Sequence, residues 1–157
     1  MNSICLVLSL AASLKWEVHQ MDVKFAFLHG DLNEEIYMEQ PPGFIQTKSN
    51  LVCRLKKSLY GLKQAPQAWY AKMDSFLLDI RFSKCHSYKI VYTKKVGKSL
   101  IIFVLYVDDI ILTVSDPNLI NHVKSSLKKK FEITDLGHLH YFLGLQVLQS
   151  KEGISFS

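Results

Sequence analysis

Two adjacent carboxylates, Asp108 and Asp109, stand between two apolar runs, Leu100–Leu105 and Ile110–Leu112, and they restrict what this chain can become. Burying a carboxylate without a partner costs several kcal/mol. Acids placed there therefore need a tight turn between strands, a cation, or both. A β-hairpin with Tyr106-Val107-Asp108-Asp109 at its tip, presenting the two acids to a divalent metal, meets that need. A transmembrane span over Leu100–Val114 is the competing reading. It fails on length, since a span takes about 20 apolar residues. It also fails on charge, since each central Asp costs roughly 2.5–3.5 kcal/mol. No membrane partner is expected.

A chain of 157 residues with 48% hydrophobic and 21% charged residues suits one globular domain with a single sizeable core. The net charge of +5 is compatible with a polyanionic partner and by itself decides nothing. Cys5, Cys53 and Cys85 are odd in number and form no Cys-x-x-Cys pair, so neither a disulfide framework nor a zinc knuckle is indicated. Ile4–Leu14 lacks the basic residues that open a secretory leader. Its Ile4, Val7, Leu8, Ala11 and Ala12 share one helical face instead, as in a core helix. An intracellular location, cytoplasmic or nuclear and not secreted, is expected.

Trp16–Val23 has the β-branched and aromatic content of a strand and carries an acid, Asp22, near its end. Glu35–Glu39 and Leu51–Lys56 read as further strands, separated by the breaker Pro41-Pro42-Gly43. Trp69, Met73, Phe76, Leu77 and Ile80 then follow helical spacing over Pro66–Ile80. Tyr88–Lys94 and Leu100–Asp108 read as a strand pair turning around Gly97, continued by Ile110–Val114. Asp116-Pro117 reads as an N-cap and first helical residue, with Ile120, Val123 and Leu127 as the buried stripe of a helix ending near Phe131. Leu139, Tyr141, Leu143, Leu145 and Val147 alternate as one late strand after a Leu136-Gly137 turn, and the tail from Gly153 reads as a cut-off continuation. The pattern is α+β, a mainly antiparallel sheet with the helices over Pro66–Ile80 and Pro117–Phe131 on one face.

Asp22 and Asp108 can meet only if their strands are neighbours in the sheet. If they are, the acids form a two-metal site. Oxygen ligands beside phosphate partners call for two Mg²⁺ or Mn²⁺ ions, which would activate an attacking hydroxyl and stabilise a leaving pyrophosphate.

Four blocks then carry a resemblance: WEVHQMDVKFAFLHGDLNEEIYMEQPPGF from Trp16, SLYGLKQAPQAWY from Ser58, LYVDDIILT from Leu105 and FEITDLGHLHYFLGLQV from Phe131. In this order and spacing they resemble the reverse transcriptase domain of copia-type, plant-like LTR retrotransposons. The resemblance implies an RNA-directed DNA polymerase palm with truncated fingers, a partial domain filling residues 1–157. By it, Asp22 and Asp108 would be the metal-binding catalytic aspartates, the backbone carbonyl of Val23 a further ligand, and Asp109 the third acid. Tyr106 and Val107 would lie beside the primer terminus. Phe27 would exclude a ribose 2′-hydroxyl, with an ordinary core Phe as the plain alternative. Tyr60, Gly61 and Lys63 would lie against the incoming nucleotide and template, Gly61 by permitting close backbone approach. An RNA or DNA template-primer and deoxynucleoside triphosphates would be the partners.

Plainer readings stand beside these. An Asp-Asp pair often marks a solvated turn. His138 and His140 share a strand face, but no third ligand sits at recognisable zinc spacing. Lys124, Lys128, Lys129 and Lys130 read as the wet side of a helix, with phosphate contact secondary. Arg54 and Lys56 are equally ambiguous, and Trp69 and Phe76 read as core. The chain also departs from the family pattern: Gln67 stands for a usual Arg, Phe25 for a small or polar residue, Arg81 and Val114 for Gly, and Tyr88 for Asp. The family's upstream fingers segment and the rest of its polyprotein are not in the sequence. The second reading is accordingly a catalytically inactive retroelement remnant that binds nucleic acid weakly.

Overall fold

The computed structural model describes residues 2–45, 51–150 and 153–156. In chain order these form helix α1 (Asn2–Leu14), β1 (Val18–Val23), a 3-10 turn (Ala26–His29), β2 (Tyr37–Glu39), β3 (Val52–Arg54) and helix α2 (Ala65–Asp79). There follow β4 (Ser83–Lys84), β5 (Val91–Val96), β6 (Ser99–Tyr106), β7 (Asp109–Val114), helix α3 (Ile120–Lys130), β8 (Ile133–His138), β9 (Tyr141–Phe142), β10 (Leu145–Ser150) and β11 (Gly153–Phe156). The chain divides into two compact units, Met1–Lys24 with Phe76–Ser157, and Phe25–Ser75.

The larger unit is built on a six-stranded sheet of order β4-β5-β6-β7-β1-β8 in which every pairing is antiparallel. In β7, Ile110 to Val114 are all buried, so both faces of the sheet are covered there. Alternation along β6 explains how. Ile102 and Val104 join Ile111 and Val18 in a core with Ile4, Val7, Leu8 and Ala11 of α1. Phe103 points the other way, where the Phe82 and Tyr92 rings meet it at 6.0 and 6.2 Å. That second face also carries α3, whose Lys124 bonds His19 of β1. The helix α1, to which the sequence assigns no face, takes the one opposite α3, its apolar stripe meeting the even-numbered residues of β6.

Asp116 caps the 3-10 turn Pro117–Leu119 that leads into α3 by accepting from the Asn118 N–H. The late region differs from the single alternating strand expected. Ile133–His138, which contains the expected Leu136-Gly137 turn, pairs along β1 as an edge strand with a register shift between Asp135 and Gly137, where Gly137 takes φ 74°. Leu143 and Gly144 both have positive φ and turn β9 tightly back into β10, leaving Tyr141 and Leu143 exposed while Leu139, Phe142 and Val147 are buried. The Leu145 side chain, with residues 151, 152 and 157 of the tail, lies outside the described residues. Lys124 is no wet-face cation: it is only 6% exposed. Its ammonium donates to Asp135 at 2.8 Å, and burial, which would raise the Asp135 carboxyl, is outweighed by this bond and by the Gly137 N–H, so the group is held low.

In the smaller unit β2 and β3 form a two-stranded antiparallel ladder, shorter than the strands expected. Gly30 lies so close to α2 that a Cβ there would come within 2.9 Å of the Ala68 Cβ and the Trp69 nitrogen. Asp31 binds Lys57 and, at 2.6 Å, Lys72, and these bonds pull its carboxyl down to about 2.

Two departures from the family pattern acquire a physical meaning. Phe25 sits in the left-handed region, φ 53° and ψ 39°, and Arg81 has φ 69° just past α2. At Arg81 the helix closes in a Schellman turn, Phe82 N–H to Leu77 O at 2.9 Å and Arg81 N–H to Leu78 O at 3.0 Å, where glycine is the usual residue.

Candidate active site

The acid pair lies at one end of the two central strands. β1 and β7 are neighbours, and Asp22 is directly opposite Asp109 in their ladder. Tyr106 faces Asp109 across the β6–β7 hairpin, which leaves Val107 and Asp108 as the two turn residues. The Val23 N–H donates to the Asp108 carbonyl at 3.0 Å, pinning the hairpin tip to β1. Directly opposed residues share a sheet face with Cβ atoms about 4.5–5.5 Å apart. Gln20 shares that face by alternation, and its Nε2 donates to Asp109 Oδ1 at 2.9 Å.

Two local rules are broken here. Like charges directly opposite one another destabilise a ladder, yet among the described residues no Lys, Arg or His forms an ion pair with Asp22, Asp108 or Asp109. Val107 holds φ 56° at the first turn position, the place a II′-like turn reserves for glycine and one costly for a β-branched residue. Burial pushes the Asp109 carboxyl up from its ordinary value; the Gln20 bond draws it back, and the Asp108 and Asp22 charges push it further up.

Hard carboxylate and carbonyl oxygens without a protein counter-ion suit Mg²⁺ or Mn²⁺. In donor chemistry Asp22, Asp108, Asp109 and the Val23 carbonyl fit such ions. Their carboxylates are not drawn into one tight cluster, however. Among the described residues the group of three donors within 4.8 Å of one another is Glu17, His19 and His138. The hairpin acids would have to swing inward around an ion.

The nucleotide-facing residues expected from sequence, other than Val23 and Tyr106, fall in the smaller unit. Phe27 is half-buried in the Ala26–His29 turn, with its ring 5.5 Å from that of Tyr60. The Ser58 hydroxyl donates to the Phe27 carbonyl at 2.5 Å. Tyr60 is 89% exposed, and Lys63 and Gln67 are exposed as well. Gly61 has φ 93° and a Cβ there would meet nothing within 4 Å, so within the chain its requirement is conformational rather than one of close approach. Gln20 was not anticipated. The available signal was its place two residues before Asp22, on the same face of β1.

Residues 1–157 match the family model described as reverse transcriptase (RNA-dependent DNA polymerase). The chain is 50% identical over 153 residues, 96% of its length, to the retrovirus-related Pol polyprotein from transposon TNT 1-94 of Nicotiana tabacum, of which it covers 12%. It is 42% identical over 157 residues to the corresponding polyprotein from transposon RE1 of Arabidopsis thaliana, covering 99% of this chain and 11% of that one. A putative transposon Ty5-1 protein of Saccharomyces cerevisiae is 36% identical over 134 residues, 85% of this chain and 44% of that protein. The chain thus spans about a tenth of the plant polyproteins it matches. No solved structure matches it. No helix among the described residues is long and apolar enough to cross a membrane. With Asp22 and the Asp108-Asp109 hairpin on adjacent strands inside a match that runs the whole chain, the protein belongs to the reverse transcriptase (RNA-dependent DNA polymerase) family, among copia-type retrotransposon sequences.

Proposed function

We propose that the larger unit is the palm of an RNA-directed DNA polymerase and that its acids carry template-directed nucleotidyl transfer. The observation that carries this reading is the register of β1 against β7, which sets Asp22 opposite Asp109 with Asp108 in the adjoining turn. Asp22, Asp108 and the Val23 carbonyl would hold two Mg²⁺ or Mn²⁺ ions. When bound, such ions activate a primer 3′-hydroxyl for attack on the α-phosphate and stabilise the leaving pyrophosphate. Asp109, held by Gln20, orients the hairpin and adds a third negative charge that favours cation binding. The Val23 N–H bond to Asp108 fixes the hairpin tip against β1. Tyr106 would rest beside the primer terminus.

Phe27, Tyr60, Gly61 and Lys63 are assigned to the deoxynucleotide and template from the family blocks. The Phe27–Tyr60 ring contact and the exposed Lys63 are compatible with those roles. The fingers and the partial-domain reading of residues 1–157 belong to the same proposal, as do the template-primer and triphosphate partners.

Primer extension on an oligo-primed RNA template, with Mg²⁺ and with Asp108→Asn as the matched control, tests the proposal. Extension abolished by the substitution is the expected outcome. A folded chain that extends nothing, and binds polyanion with the steep salt dependence of phosphate contacts, would favour the inactive remnant. The exposed Gln67, in place of the family's Arg, is the observation on that side.

A further inference from the structure

A second set of metal donors lies at the opposite end of β1. Glu17 precedes the strand, His19 is its second residue, and His138, the last residue of β8, is directly opposite His19. The imidazole centroids are 4.6 Å apart with ring planes tilted by 36°. Glu17 Oε2 is 3.5 Å from His19 Nε2. That nitrogen is buried, and at 3.5 Å the Glu17 carboxylate stands at the outer limit of hydrogen-bond distance, a weak partner at best. Because the Lys124 ammonium can only donate to Nδ1, Nε2 carries the ring proton and turns it toward the carboxylate of Glu17 and the ring of His138, and a divalent ion replacing that proton would meet three donor atoms that all lie within 4.8 Å of one another.

We propose that Glu17, His19 Nε2 and His138 bind one borderline divalent transition-metal ion, Zn²⁺, with a fourth position open to solvent. Two imidazoles and a carboxylate are a donor set of three-ligand zinc sites. They are softer than the all-oxygen set at the hairpin, which separates this ion from Mg²⁺. The two strands fix the spacing, because His19 and His138 are partners in one ladder. Glu17 and His138 also line a cavity of 740 Å³ together with His140 and Gln149, so water can reach the metal. Burial holds the His19 imidazole in its neutral, ligating form, and the Lys124 and His138 charges act in the same direction against a weaker pull from Glu17.

Lys124 sets the condition for binding. Its Nζ is 2.9 Å from His19 Nδ1 and 2.8 Å from Asp135. Metal on Nε2 requires the proton on Nδ1, so the ammonium must release His19 and keep Asp135. Lys124→Gln, whose amide oxygen accepts from Nδ1–H, should therefore tighten zinc binding.

The test is a Zn²⁺ titration of the whole chain against a chromogenic chelator, with the Co²⁺ absorption spectrum as a second readout. One Zn²⁺ per chain is expected, about tenfold or more weaker in His138→Gln and unchanged in Asp108→Asn. Co²⁺ should show d–d bands without thiolate charge transfer. Glu17→Gln alters a side chain that is 57% exposed and decides the matter should His138→Gln fail to fold. No binding in excess zinc, binding indifferent to both variants, equal loss in Asp108→Asn, or a thiolate band from a cysteine would each overturn the proposal.

Discussion

Asp109→Asn separates charge from shape at the hairpin. The side chains are isosteric, and the Oδ1 that accepts from Gln20 Nε2 at 2.9 Å is retained. What disappears is one of two carboxylate charges set opposite each other in the β1–β7 ladder. Two unit charges about 6 Å apart repel by roughly 0.7 kcal/mol in bulk water and about 3 kcal/mol at an effective dielectric of 20, and opposed like charges in ladders cost up to about 1 kcal/mol. The half-buried, partly hydrated site lies toward the lower end, so without divalent ions the variant should be about 1 kcal/mol more stable than the parent at neutral pH. For a chain of this length that is about 2–4 °C in Tm.

The pH dependence follows from the direction of the shift. Asp109 is raised in the folded state, chiefly by burial. The folded chain therefore holds its proton more tightly than the unfolded one. Stability associated with this group is fully present below the unfolded carboxylate value of about 3.9 and is lost as pH rises through the raised folded value. Thermal melts with a chelator should thus give nearly equal Tm for parent and variant near pH 4 and a higher Tm for Asp109→Asn at pH 7.5. Adding Mg²⁺ should raise the parent's Tm by binding the folded state and raise the variant's less. A variant less stable than the parent at pH 7.5, or a difference independent of pH, would refute the argument that uncompensated charge dominates this ladder.

Gly30→Ala should destabilise by about 1–3 kcal/mol, because the new Cβ meets α2 backbone at 2.9 Å; a urea midpoint unchanged from the parent would show that α2 yields. Phe25→Gly and Arg81→Gly relieve left-handed backbone at φ 53° and φ 69°, worth about 1–2 kcal/mol each, less about 0.5–1 kcal/mol for the freer unfolded chain; differential scanning calorimetry should find each variant slightly more stable. Asp135→Ala leaves the Lys124 ammonium, which is 6% exposed, with the His19 ring but without the carboxylate that balances its charge, and should cost about 3 kcal/mol. Because Asp135 is held low, the parent's advantage over this variant should be full above the ordinary carboxylate range and shrink as pH falls through the lowered value.

The hairpin was legible because two charges interrupting apolar runs leave few arrangements that avoid burying them, and the helices because their stripes keep a period of 3.6 residues. The neighbouring of β1 and β7 was not legible. It was only a condition, since strand order is set by packing between residues nearly ninety positions apart. β8 was lost to the Leu136-Gly137 pair, which reads as a turn but lies at a register shift across which the edge strand continues. Lys124 was misplaced because a lysine in a run of lysines looks solvated. Its partners His19 and Asp135 come from β1 and β8, and no local spacing announces them. The Glu17–His19–His138 group escaped for the same reason, its histidines being joined by register alone.

The broken rules are not scattered evenly. Opposed carboxylates, a raised Asp109 and a strained Val107 coincide at one tip of the central hairpin, and each would be relieved by a local change, Asn for Asp or Gly for Val, that leaves the core untouched. Left-handed backbone also occurs at Lys15, Phe25, Arg81 and Leu143, but at Val107 it coincides with opposed carboxylates, and that coincidence supports the proposed ligand-dependent site. A cation at the tip would turn the charge repulsion into attraction, while the φ of 56° at Val107 sets the path of the turn that carries Asp108. Phe25 and Arg81 are strained too, but they stand singly, with no charged cluster beside them, and their strain has no ligand to offset it. On the proposed reading the same conformational cost belongs to a site at Val107 and to a substituted turn at Phe25 and Arg81, and the Mg²⁺ response of Asp109→Asn against the metal-independent gain of Arg81→Gly tests that distinction.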